Sequence, residues 1–508
     1  MEEGVNKFNV PFDKLLSSIA QKRRTLLGWG PESQTESVGA CGKQLSSVLE
    51  AMSEAQFLPR LYRRDPSLFV SDPSLFPAVR NRLGWVDAPR MFLEVADDLM
   101  AFAEEVKKDG FRHVVLLGMG GSSLCPEVCA RTYGSRKGFP ELVVLDTTSS
   151  DAIAACEEKI DIRRTLFIPA SKSGGTIETN SLYKYFFHRL EEAGVQEPGA
   201  HFIAITDPGT SLQALAAEFG FRRTFINPPD IGGRFSALSY FGLVPMALLG
   251  LNVRLLLERA VAFSRDAHSL VPAVADPSVR LGATLAVLAK AGRDKLTLVI
   301  SPRLASLGAW IEQLVAESTG KHGVGILPVD GEPLGPASLY GRDRVFVSIE
   351  LQGDKVETSR LTALEKAGHP VIRIRVPDAL DLGVEFLRWE IATAVAGALL
   401  RINPFDEPNV AESKANSNAA IEEYRKRGTL PLPKVDVSKN DGVTATLTKV
   451  GRRVLKTAPP EEDDLARAVR AIVTSAREGE YIALLAYLPY GGPASTRLAS
   501  LRKSLRDT

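Results

Sequence analysis

Cysteine and histidine are scarce in this chain. Four cysteines and six histidines stand among 508 residues. With no C-x-x-C pair and no H-E-x-x-H, the usual zinc-site spacings are excluded. Cys125, Cys129 and Cys156 fall in stretches that read as helices, so reduced core thiols are expected rather than a disulfide framework. An excess of one charge is also lacking: Lys plus Arg number 62 and Asp plus Glu 61, a formal net charge of +1. That excludes a surface built throughout for nucleic acid or anionic membrane, though not a local basic pocket. Long apolar runs are absent save for 235–253, which carries no charge but contains Ser236, Ser239, Tyr240, Gly242 and Pro245. It reads as a buried core helix rather than a membrane span. The opening MEEGVNKFNV lacks a charged-then-apolar signal pattern, so a cytoplasmic protein is expected. Neither a fixed-period repeat nor a low-complexity tract is present.

What is there is the balance of an ordinary globular enzyme, 44% hydrophobic and 24% charged, with length for about three domain-sized units. Residues 1–100 read as a helical N-terminal region. Strand-like runs then appear at 113–119, 142–146, 165–171 and 201–207, with helical patterns between them at 151–159 and 177–190. A helical stretch over 237–291 follows, and strands resume at 295–301, 323–329, 344–351 and 370–376, before a helix over 382–402. Short β-branched runs alternating with helices predict βαβ units and parallel, doubly covered sheets. Two α/β units are expected, over 101–275 and 276–508. The second is expected to hold loops at 429–442 and 457–464, a strand at 481–489 and a basic helix at 493–507.

Two strand-to-helix joints carry candidate chemistry. Gly118-Met119-Gly120-Gly121-Ser122-Ser123 lets backbone N–H groups approach an anion at a helix N-terminus. A dinucleotide site competes, because Asp146 ends the next strand where a ribose-binding acid would sit; against it, Ser123 replaces the third glycine of G-x-G-x-x-G. A tight structural turn is the third reading. The second joint, Ser171-Lys172-Ser173-Gly174-Gly175-Thr176-Ile177-Glu178, gathers three hydroxyls around two glycines. One hydroxyl caps a helix, whereas three suit a dianionic phosphate.

This second joint resembles the S-x-S-G-x-T-x-E loop with which sugar isomerase (SIS) domains bind phosphosugars. Three further motifs are similar to those of the glucose-6-phosphate isomerase family: GGRFS at 232–236, QLVAESTGK at 313–321, and NPFDEPNV at 403–410 followed by Lys414. The similar motifs run in family order from about residue 114 to 414, and the nearest variety is the isomerase half of bifunctional transaldolase/glucose-6-phosphate isomerases. The resemblance implies two SIS-type α/β units, with the active site between them at the carboxyl ends of strands. It implies interconversion of glucose 6-phosphate and fructose 6-phosphate through an enediol(ate), without metal or nicotinamide, by a homodimer. It assigns Glu317 as the base, Arg234 as the cation beside the enediolate, and Lys414 as an aid to ring opening. Gly121, Ser122, Ser171, Lys172, Ser173 and Thr176 are the implied phosphate and sugar contacts, and Gln313, one helical turn before Glu317, an implied sugar-hydroxyl contact.

Two departures stand out. Gly175 occupies a position where many family members have a hydroxyl or an aromatic, so one phosphate contact is expected to be missing. The family's ring-opening histidine is also absent, since 335–339 reads GPASL; His322 and His369 are the nearest candidates. The relatives also continue past the position of Thr508, so a separate transaldolase or a further C-terminal segment joins the expected partners. A sugar-phosphate binder without catalysis is the alternative, favoured by the missing histidine and opposed by Glu317 and Arg234. A nucleotide-dependent oxidoreductase rests on GMGGSS and Asp146 alone.

Overall fold

The computed structural model describes residues 33–268, 275–430, 433–438, 442–459, 464–477, 479–488 and 492–507, with a few isolated positions before 33. The strands are β1 (Gln34–Ser37), β2 (His113–Gly118), β3 (Glu141–Leu145), β4 (Thr165–Ala170), β5 (Ile203–Thr206), β6 (Arg223–Ile226), β7 (Lys295–Ile300), β8 (Leu327–Val329), β9 (Arg344–Leu351), β10 (Val371–Val376), β11 (Val437–Ser438) and β12 (Thr444–Ala445). One sheet has the order β3-β2-β4-β5-β6 and is parallel throughout. Its central strand β4 is buried at every position, as a strand covered on both faces must be. A second sheet has the order β1-β10-β9-β7-β8. The expected α/β class and its two largely parallel sheets are therefore observed.

Several expectations need correction. The N-terminal region is not wholly helical: β1 pairs antiparallel with β10, Gln34 opposite Ile374. Only four residues long, β1 gives no periodic signal of its own, and its partner lies far along the chain. β6 was not anticipated, because RTFI is equally short. The strand expected over 323–329 shrinks to β8, since 321–324 forms a tight turn with positive φ at His322 and Gly323. No strand forms over 481–488, and residue 489 lies outside the described residues. Tyr481, Leu485 and Tyr487 there are 61%, 85% and 99% exposed, and an apolar run without a ladder partner is no strand. The 429–442 stretch contains β11.

The apolar stretch at 235–253 forms the helix Tyr240–Leu248, buried along its length against the helices Ala96–Lys108 and Leu124–Tyr133. No helix among the described residues is long and apolar enough to cross a membrane. Helix continuity over 237–291 fails at Gly250 (φ +81°), and the helix Pro277–Lys290 starts from Asp276, whose backbone is extended; residues 269–274 lie outside the described residues. The 382–402 pattern forms the helix Leu382–Leu400, covered by the helices Pro277–Lys290, Val253–His268 and Leu307–Thr319. Burial on all sides explains why it lacks a polar face. Its buried Arg388 donates to Glu385 Oε1 (2.9 Å) and, through Nη1, to Gln34 Oε1 of β1 (3.1 Å). All four cysteines are free, and Cys125, Cys129 and Cys156 are buried; burial pushes the Cys125 thiol well up, the state of inert core sulfur.

Both sheets belong to one compact unit, Met1–Asp406 with Pro489–Thr508. The C-terminal helix Pro493–Asp507 is held there by Arg502, which donates to the Asp330 carbonyl (2.8 Å). A smaller unit, Glu407–Leu488, contains the helix Pro408–Arg427, the β11–β12 pair and the helices Lys449–Thr457 and Asp464–Thr474 around Val437, Leu447 and Ala468.

Candidate active site

Parallel strands deliver their following loops to one edge of a sheet, and the register brings these loops side by side. Gly118 of β2 lies opposite Ala170 of β4, and Ala170 opposite Ile205 of β5. The turns after β2, β4, β5 and β6 are therefore neighbours.

After β2, a single turn over Gly120–Ser122 enters the helix Leu124–Tyr133. The glycines here serve close approach within the protein. A Cβ on Gly121 would stand 2.2 Å from the Gly233 carbonyl oxygen, and one on Gly120 2.5 Å from Gln313 Nε2. Gly121→Ala is thus expected to push the two turns apart and destabilise the protein by about 1–3 kcal/mol, as overpacking does. Chemical denaturation reads this, and an unchanged midpoint would mean that the turns do not touch. Asp146, at the end of β3, is half-buried beside Ser123, and burial holds its carboxyl above the usual range.

After β4, Gly174 (φ +67°) turns the chain into the helix Ile177–Glu192. The Ser171 and Thr176 hydroxyls lie 2.8 Å apart, while Ser173 is exposed and its Oγ accepts from the Gly175 N–H (3.4 Å). Lys172 reaches the other way. Its ammonium pairs with Asp207, at the end of β5, and donates to the Pro229 carbonyl (3.0 Å). Burial raises the Asp207 carboxyl and outweighs the opposing pull of Lys172.

After β6, the turn Gly233–Phe235 presents Arg234. Its guanidinium is 7% exposed and fully engaged: Nη1 donates to Glu317 Oε1 (2.9 Å), Nε to Ser318 Oγ (3.1 Å), and Nη2 to the carbonyls of Pro404 (3.0 Å) and Asp406 (3.1 Å). Arginine's planar fork makes so many directed bonds possible. Glu317 and Ser318 end the helix Leu307–Thr319 that follows β7, with Gln313 one turn earlier on the same face. The second sheet thus reaches the site through this helix rather than through strand ends. Phe235 and Phe405 pack together (5.2 Å), with Trp85 on Phe235 (5.0 Å) and Phe69 on Phe405 (4.8 Å). Asp230 is held by Arg64 (2.6 Å), and the Gly84 N–H donates to its carbonyl (2.9 Å). The N-terminal region therefore buttresses the Arg234 turn from below.

A buried arginine spanning a carboxylate and two carbonyls, beside a hydroxyl-rich helix start, can stabilise negative charge near a proton acceptor. Comparisons with known proteins agree with the motifs. The family model for phosphoglucose isomerase matches residues 93–326. A glucose-6-phosphate isomerase of Rubrobacter xylanophilus is 30% identical over 384 residues, 65% of this chain and 87% of that protein. The chain belongs to the phosphoglucose isomerase family. A second relative, the glucose-6-phosphate isomerase of Parabacteroides distasonis, is 27% identical over 388 residues, 67% of this chain and 87% of its own. The crystal structure of the glucose-6-phosphate isomerase from Chlamydia trachomatis shares the fold at a TM-score of 0.65 and 20% identity, over 78% of this chain and 89% of that one. A hypothetical protein from Thermus thermophilus does so at 0.63 and 24%, over 76% and 99%.

Within this family frame, Glu317, Arg234, Gln313 and Gly121 meet, and Ser122 stands in the same turn as Gly121. Ser171, Ser173 and Thr176 form the neighbouring loop, whereas the Lys172 ammonium is drawn to Asp207. Lys414 lies exposed on the helix Pro408–Arg427 of the smaller unit. His322 sits exposed at the tip of its turn. His369 is 8% exposed, with Phe346 (5.6 Å) and Tyr340 (6.3 Å) against its ring, and burial lowers its pKa. That is the setting of a core histidine. Sequence reasoning gave no role to Asp207, nor to Ser318 and Lys321 within the quoted motif; Asp207 follows a strand at the site edge, a position that could have flagged it. Among the described residues no three His, Cys, Asp or Glu side chains are grouped to hold a metal ion.

Proposed function

We propose that this chain interconverts glucose 6-phosphate and fructose 6-phosphate, with Glu317 moving a proton between C1 and C2. The carrying observation is the 2.9 Å contact between Arg234 Nη1 and Glu317 Oε1, beside the loop that suits a phosphate. Glu317 takes the proton from C2 of the open-chain aldose, the C–H pair becomes the C1=C2 bond, and negative charge moves onto oxygen. Arg234 faces that charge, and the hydroxyl proton passes from O2 to O1. As the C2=O bond forms, the C1=C2 pair takes a proton at C1 from the neutral Glu317 acid, which exchanges with solvent between the two transfers. Lys414 keeps the ring-opening role that the family resemblance gives it. The reading calls for neither metal nor nicotinamide, and by the same resemblance for a homodimer.

Incubating the chain with fructose 6-phosphate and following glucose 6-phosphate through a coupled dehydrogenase tests this. Product must form at a rate proportional to the chain added. A specific observation favours a second reading, a sugar-phosphate binder: 335–339 has no histidine and His369 is buried. Calorimetric binding of fructose 6-phosphate without product would select it. Under either reading Ser173→Ala weakens sugar-phosphate affinity, by roughly tenfold for a lost hydrogen bond to a charged group. Unchanged affinity would remove the loop from the phosphate site.

A further inference from the structure

Lys321 follows the helix that carries Gln313, Glu317 and Ser318, and its ammonium is buried, 2% exposed. Its Nζ donates to the Asn403 carbonyl (2.7 Å), the Asp406 carbonyl (2.6 Å) and Asp406 Oδ1 (2.6 Å). Taking an ammonium out of water costs several kcal/mol unless acceptors surround it, and here the acceptors come mainly from one short backbone segment. That segment is also the far wall of the Arg234 site. Arg234 is stretched between the helix end (Glu317, Ser318) and the carbonyls of Pro404 and Asp406. Lys321 ties together the same two elements and shares the Asp406 carbonyl with Arg234.

Resting on the isomerase reading, we propose that Lys321 is a positioning residue that sets the width of the slot holding Arg234, and so aims the guanidinium at the developing oxyanion. Without it the 403–406 wall is free to drift, Arg234 loses the carbonyls that draw Nη2 away from Glu317, and the guanidinium settles onto the carboxylate. Proton transfer then suffers while the phosphate loop, built on β4, keeps its contacts.

The test is Lys321→Met, close in length but without donors. It is expected to lower kcat about 10- to 100-fold with KM within about threefold, the signature of misplaced catalytic groups. In an Arg234→Ala background the same change should cost less than about threefold, because residues acting through one another are non-additive. Full additivity, or a KM effect alone, would overturn the proposal. A crystal structure of the Lys321→Met protein gives a readout independent of turnover. Arg234 should have left the carbonyls of Pro404 and Asp406, and an undisplaced guanidinium would overturn the proposal even were the wild type inert. An inert wild type would instead count against the isomerase reading, with the crystal structure still deciding for Lys321. Should the Met variant not fold, Lys321→Gln, a shorter donor, enters the same cycle and the same structure determination.

Discussion

Glu317→Gln is expected to lower turnover of fructose 6-phosphate by at least about 10²-fold, the usual loss when a general base is removed. The substitution changes little else. The carboxamide has the shape of the carboxylate, and its oxygen can still accept from Arg234 Nη1, now 2.9 Å away. The helix end is fixed independently, since Thr319 Oγ1 donates to the Val315 carbonyl (2.8 Å) and accepts from the Ile326 N–H (2.9 Å). The glutamine protein should therefore fold, bind sugar phosphate within about threefold of wild type and lose kcat rather than KM, because an interaction made only on the way to the transition state has gone. Stopped assays and calorimetry on the same preparation separate these quantities. Turnover near that of wild type would assign the proton transfer to another group.

Arg234→Ala is expected to cost roughly 10²-fold or more in kcat, in line with the loss of other preorganised electrostatic groups. A second effect comes from its burial. Removing the guanidinium strands the Pro404 carbonyl, leaves the Asp406 carbonyl to Lys321 alone and takes the cation from Glu317. Breaking a largely buried pair costs about 3–5 kcal/mol, here less because Glu317 is 27% exposed. A clear fall in denaturation midpoint should accompany the lost rate. Arg234→Lys separates the two: it keeps a charge but cannot span four acceptors with one planar fork, so it should regain stability more than kcat. A rise in KM at constant kcat would instead mean that Arg234 binds substrate and transition state equally.

The loops were legible because each is a local signal, whereas Glu317 and Arg234 were singled out by the family resemblance alone. Hydroxyls and glycines between a strand and a helix mark an anion-binding turn, and SKSGGT reads so without any partner. Glu317 and Gln313 share a helix face by spacing alone. Contacts between distant segments were not legible. β1 finds β10 across most of the chain, and nothing in QTES announces it. Gly121 was readable as a place where backbone must come close, yet what comes close is the Gly233 carbonyl. Lys172, which the resemblance gives as a phosphate or sugar contact, pairs with Asp207, a partner that no local pattern announces. Lys321 stood in the quoted motif without a role, because its acceptors are two backbone carbonyls and a carboxylate 85 residues away, which no local side-chain pattern reports. The run at 481–488 misled for a related reason: apolar, β-prone residues make a strand only where a ladder partner exists.

The central claim is proton transfer at C1 and C2 by this chain, and proton NMR of fructose 6-phosphate with the purified protein in D₂O tests it most directly. The account predicts glucose 6-phosphate carrying deuterium at C2, with the same signal abolished in Glu317→Gln. No aldose and no exchange at C1, or aldose formed undiminished by Glu317→Gln, would contradict it.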